Sequence, residues 1–117
     1  MRATSGLVFG SDGHKSARGM EFEWDEDKRR QNVERHGFDF LDGVLMFADE
    51  YYCRYLPRKD EDRWLAIRSI GGIEIAVVFA LRGEREEITR IISMRRAKRR
   101  ERRQYHAHLR ARGIAPA

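Results

Sequence analysis

The chain holds little that could staple it, anchor it or mark it as a familiar enzyme. Its one cysteine, Cys53, excludes an intrachain disulfide and suits a reducing, cytoplasmic setting. Apolar and aromatic neighbours make that thiol a small core or edge hydrophobe rather than a nucleophile. No apolar run is membrane-length; the longest, Ile75 to Leu81, is strand-sized, so no membrane partner is expected. There is no Walker loop, CxxC pair, HExxH or nucleophile elbow. His106 and His108 are two apart on an expected helix and do not face one another, so no metal and no cofactor is expected. Residues 1–19 carry Gly, Ser and charge without the apolar stretch of a signal peptide. They read as a disordered leader, with one domain over 20–112 and a disordered tail over 113–117.

What the chain has in abundance is charge. Of its 117 residues 37% are charged, with 24 basic against 19 acidic side chains and a net charge of +5. The distribution is uneven. Glu21 to Glu61 holds 12 acidic and 7 basic residues, whereas Arg95 to Arg112 holds 9 basic residues and the single acid Glu101. Such asymmetry within one domain points to a polyanion at the basic end, against the bland alternative of a solvated arginine-rich helix.

Periodicity sets the expected elements. Phe22 to Trp24 reads as a short strand, and Asp25 as the N-cap of a polar surface helix ending at Gly37, with Asp25–Arg29 and Glu26–Arg30 as i,i+4 pairs. Asp39 caps a second helix, on which Leu41, Val44, Leu45 and Ala48 form a core-facing stripe. Tyr51 to Leu56, Arg63 to Ile70, Ile73 to Leu81 and Glu87 to Ser93 follow as an antiparallel meander, with Gly71-Gly72 as a hairpin turn. From Arg95 to about Ala111 a basic helix is expected, stacking Met94, Ala97, Glu101, Tyr105 and Leu109. The fold class is therefore α+β: two N-terminal helices and a C-terminal basic helix on a small antiparallel sheet.

Three features could carry chemistry. Arginines end or interrupt strands at Arg63, Arg68, Arg82 and Arg90. On simple alternation Ile88, Arg90 and Ile92 share one face and Thr89, Ile91 and Ser93 the other. Arg90 then either presents a bidentate phosphate donor on an open face or pairs with Glu74 or Glu87. The second feature is a strand running straight into a helix, with Ser93 as cap and Arg95, Arg96 and Lys98 in the first turn. Cations there oppose the helix dipole, and a bound anion would relieve that cost. The third is Glu101 with Tyr105, one turn apart among arginines, where the carboxylate either orients its neighbours or moves protons. His36, beside Gly37, is either a helix-end residue or an acid–base group.

At these residues a resemblance becomes visible. Phe22-Glu23-Trp24-Asp25 with Lys28 and Asn32, then His36-Gly37-Phe38, resembles the opening of the BrnT toxin family. Glu61-Asp62-Arg63-Trp64-Leu65-Ala66-Ile67 continues it. The match is strongest over Ile88-Thr89-Arg90-Ile91-Ile92-Ser93-Met94-Arg95-Arg96-Ala97 and runs on to Tyr105. Met94 departs from the pattern, standing where the family usually has alanine. The resemblance implies a RelE-type ribonuclease fold, cleavage of RNA to halt translation, a BrnA-type antitoxin, and operator DNA as a target of the toxin–antitoxin complex.

RNA carries its own nucleophile, so the protein need only move protons and stabilise charge. The reading then places Arg90 and Arg95 on the scissile phosphate, with Arg63 and Arg82 as clamps. Proton transfer falls to Glu101, Tyr105, His36 or Lys28, and Ser93, Arg96 and Lys98 contribute to substrate binding. Two rivals remain at this point: a non-catalytic nucleic-acid-binding regulator and a pure interaction protein.

Overall fold

A computed structural model describes residues 12–17 and 19–114. The residues form a six-stranded sheet in the order β1-β2-β6-β5-β4-β3, with helices on both faces. The strands are β1 (Asp12–Ala17), β2 (Met20–Asp25), β3 (Tyr52–Leu56), β4 (Arg63–Ile70), β5 (Ile73–Arg82) and β6 (Ile88–Arg96). The helices are α1 (Glu26–His36), α2 (Phe40–Gly43), continued by a 3-10 turn over Val44–Ala48, and α3 (Arg99–Ala111).

The meander β3 to β6 is antiparallel as the short connections require, and Gly71 and Gly72 turn its β4–β5 hairpin at φ 60° and 83°. Both values lie in the left-handed region that such a two-residue turn demands. The sheet as a whole is mixed, however, because β2 joins β6 in parallel through Glu21↔Ile88 to Glu23↔Arg90. Residues 12–17, expected within a disordered leader, form β1 antiparallel to β2. Gly13 makes this possible: a methyl group there would overlap the Trp24 indole. The rest of the expected leader and most of the expected tail, 1–11, 18 and 115–117, lie outside the described residues. Ile114 packs on the core under α3.

The second helix is a correction. Leu41 and Leu45 are 43% and 44% exposed, while Phe40, Gly43 and Met46 are buried. The segment tightens to three residues per turn, so positions three apart align and the i, i+3, i+4 stripe fails. Met94 fills this layer with Phe22, Trp24, Phe40 and Ile91. Gly43 lies against this layer: an added methyl would be tight on Ile91 at 3.2 Å and in ordinary contact with the Met94 sulfur at 3.5 Å.

The start of α3 is a second correction. Arg95 and Arg96 are strand residues opposite Ala76 and Ile75, and the Ala97 N–H donates to Glu74 O at 2.9 Å. The ladder to β5 consumes the backbone that a helix would need. Helix α3 therefore begins at Arg99, with the Glu101 carboxylate accepting from the Lys98 N–H at 2.7 Å. Ser93 is mid-strand, opposite Val78, and caps nothing. Ala97, Tyr105 and Leu109 bury against Leu65, Ile67 and Ala76, but Met94 lies on the opposite face of the sheet.

Candidate nucleic-acid interface

A bulge assembles the site. Val78 pairs with Ser93 and Phe79 with Ile91, which leaves Ile92 as an extra residue in β6. Arg90 and Arg95 are five apart and would lie on opposite faces of a regular strand. The extra residue inverts the alternation, so Arg90, Ser93 and Arg95 stand opposite Ala80, Val78 and Ala76 on the α3 face. Simple alternation, which separates Ser93 from Arg90, is thus overturned at this point.

Helix α3 packs over β3 and β4. Beyond it, the same sheet face carries Arg63, Arg82 and Arg90 around the small Ala80. Each arginine is held by a carboxylate. Glu61 bridges Arg63 (3.3 Å) and Arg82 (2.8 Å). Arg90 pairs with buried Glu23 at 2.9 Å, a partner not considered from sequence. The lone acid between Phe22 and Trp24 was the available signal for it. Arg95 grips Glu101 through two bonds of 2.8 and 3.0 Å. Arg68 points the other way, donating to Leu45 O.

This geometry separates the candidates for proton transfer. Burial alone would raise the Glu101 carboxyl, but the hydrogen bonds from Arg95 and the Lys98 N–H outweigh it and hold the group below its ordinary value. Glu101 is therefore a fixed anion that orients Arg95. Tyr105 is buried in the core beneath α3. Neither sits on an open surface.

Lys28 and His36 do. With Gln31, Asn32 and Arg35 of α1, and Ile92 and Ser93 of β6, they line a cleft of about 230 Å³. Asn32 forms its floor. Strand β2 leaves β6 after Arg90, and beyond that point the Asn32 amide takes the place of a neighbouring strand. Its Nδ2 donates to Met94 O (2.7 Å) and Phe38 O (3.0 Å), and its Oδ1 accepts from Met94 N (3.1 Å). The cleft and the arginine face meet at Ser93. Arg35 and Gln31 were missed from sequence because α1 has no amphipathic signal. Asn32 was noted as part of a motif, without a role. Arg96 and Lys98 are exposed and line neither feature. Among the described residues, no group of three or more His, Cys, Asp or Glu side chains could hold a metal ion. No helix among them is long and apolar enough to cross a membrane.

Residues 24–101 match the family model described as the ribonuclease toxin BrnT of type II toxin–antitoxin systems. The chain belongs to the BrnT family. A solved structure, the Brucella abortus ribonuclease toxin BrnT, is 38% identical with a TM-score of 0.50, covering 65% of this chain and 94% of that one. Among curated proteins there is no match. Membership makes the chain a ribonuclease toxin of a type II system, with an antitoxin as partner and RNA as substrate. The matched stretch runs from Trp24 to Glu101 and so spans the cleft and the arginine face, while β1 and most of α3 fall outside it.

Proposed function

We propose that this BrnT-family chain is a metal-independent endoribonuclease that cuts RNA through its 2′-OH, on a RelE-like arrangement of basic groups over an open sheet face. The observation that carries the reading is the Ile92 bulge, which sets Arg90, Ser93 and Arg95 on one face beside the cleft of Lys28, Arg35 and His36. Arg90 and Arg95 contact the scissile phosphate through their guanidinium groups, and Arg63 and Arg82 clamp the flanking strand. Ser93 adds a contact where this face meets the cleft, and the exposed Arg96 and Lys98 meet the RNA farther along, outside both features. Because the guanidinium groups are already oriented by Glu23, Glu101 and Glu61, little reorganisation is needed as charge develops on the phosphorane.

In the step itself, the 2′-oxygen bonds to phosphorus while its proton passes to the His36 imidazole. The P–O5′ bond breaks, and the leaving oxygen takes a proton from the Lys28 ammonium. The products are a 2′,3′-cyclic phosphate and a 5′-hydroxyl. Glu101 and Tyr105 support the site from beneath without exchanging protons. In the cytoplasm the consequence is arrested translation, relieved by a BrnA-type antitoxin whose complex with the toxin binds operator DNA.

Single-turnover cleavage tests the assignment. His36→Ala and Lys28→Ala are each expected to slow the chemical step by on the order of 10²–10³ with RNA binding retained. Cleavage at the wild-type rate in both variants would remove the cleft from the mechanism. One observation favours a second reading, a regulator that binds without cutting: Arg63, Arg82, Arg90 and Arg95 each have a carboxylate partner, which leaves that patch little net charge. Steeply salt-dependent binding without strand scission would support it.

A further inference from the structure

We infer that the outward face of α3 is a second RNA-backbone surface, distinct from the sheet face, and that it supplies most of the electrostatic affinity for the substrate. The inference rests on RNA being the substrate and extends that reading to where binding strength resides.

The contrast between the two basic surfaces carries the argument. On the sheet face Arg63, Arg82, Arg90 and Arg95 are bound to Glu61, Glu23 and Glu101. On α3 the sole acid, Glu101, is turned inward and consumed by Arg95. Arg102 and Arg112, on its flanks, tie back to Glu74 and Glu50. The exposed Arg99, Arg103 and Arg110 have no carboxylate partner among the described residues, and neither do Arg96 and Arg100. At 100° per residue, Arg99, Arg103 and Arg110 fall within about 40° of one another, in a single row about 16 Å long.

That row is unfavourable for the isolated fold. Arg99 and Arg103 are like charges at i,i+4, and Arg99 and Arg100 stand at the positive end of the helix dipole. Glu101 in the first turn offsets part of the dipole cost, but no described carboxylate pairs with Arg99 or Arg103, whereas a polyanion would. The chemistry of the row selects its partner. A protein interface is anchored by buried aromatic or aliphatic side chains, and the exposed outer face of α3 offers only Ala107 and Ala111 between its arginines. Planar guanidinium forks without an apolar anchor suit phosphate oxygens. The row is long enough to follow several phosphates of one strand. Arg103 and Arg110 also lie beyond the 24–101 family match, so this surface is not part of the region on which the ribonuclease assignment rests.

The test uses the full chain and 2′-O-methyl RNA of 6 and 24 nucleotides, which lacks the attacking hydroxyl and is bound but not cut. Affinity is measured against salt for wild type, R99Q/R103Q/R110Q and the charge-preserving R99K/R103K/R110K. In the glutamine variant, log affinity for the 24-mer is expected to depend less steeply on log salt, by about two in slope. Affinity for it at 0.1 M salt should fall on the order of 10- to 100-fold. The lysine variant should keep most of the slope, and the 6-mer should bind all three proteins alike. A wild-type slope in the glutamine variant would overturn the inference, as would loss of antitoxin binding with RNA binding intact. Relief of like-charge repulsion should leave its melting temperature equal or higher; a fall would mark these arginines as structural and count against the proposal. Because the probe cannot be cleaved, the result stands apart from whether the sheet face is catalytic.

Discussion

Ile92 decides which side chains meet. As an unpaired residue in β6, it brings Arg90 and Arg95 to one face and opens the cleft edge at Ser93. Below that surface Glu101 holds Arg95, and the sign of its pH effect follows from its environment. A carboxyl depressed in the folded state adds stability above the unfolded value of about 4.3 and loses it as pH falls through the folded value. Glu101→Gln is expected to cost about 1–3 kcal/mol at pH 7 by leaving Arg95 without its anion. In thermal melts the difference from wild type should narrow as pH falls below about 4; a constant difference from pH 7 to pH 3 would show that the carboxylate charge is not what matters. Asn32 is the other residue with an outsized role. Asn32→Ala strands both the N–H and the C=O of Met94, and roughly 2–4 kcal/mol should be lost in denaturant unfolding. Asn32→Asp keeps the acceptor for Met94 N but lacks the amide donor, so it should fall short of full recovery.

At the scale of elements, local signals were legible and non-local ones were not. Helix α1 starts at Asp25 and ends at Gly37 as its sequence indicates, because both caps are settled within a few residues. Its ion pairs shift from the expected i,i+4 to Glu26–Arg29 and Asp27–Arg30 at i,i+3. The buried residue of α1 is polar Asn32, and Val33 is exposed. No hydrophobic pattern could reveal this, since the partner that buries Asn32 is a backbone 62 residues away. The helical reading of Arg95 and Arg96 failed for the same reason: arginine has good helix propensity, and pairing with β5 overrides it. Of the site, Arg63, Arg82 and Arg90 were identifiable as arginines that end or interrupt strands, whereas Arg95 reads as helical. Their common face was not, because it depends on one bulge. Strand β1 supplies a test at this scale. Gly13→Ala places a methyl group in the Trp24 indole, so β1 should detach while the remaining sheet stays folded. The Trp24 indole N–H resonance should shift and residues 12–17 become protease-sensitive; an unchanged spectrum would show that β1 does not pack on Trp24.

At the scale of the molecule, charge is divided between two tasks. Ion-paired arginines on the sheet are held in place for chemistry, and unpaired arginines on α3 are left to attract polyanions. A net charge of +5 understates this division, since the acids are spent largely on orienting or tethering basic side chains. Family membership supplies the ribonuclease toxin and its antitoxin; the bulge and the cleft supply a place for the reaction. The most direct test of that account is to incubate the pure protein, free of antitoxin, with end-labelled RNA in EDTA, beside Arg90→Ala and His36→Ala. Cleavage that leaves 2′,3′-cyclic phosphate ends and is lost in both variants is the predicted result. Cleavage that requires a divalent ion, or that persists undiminished in both variants, would contradict it.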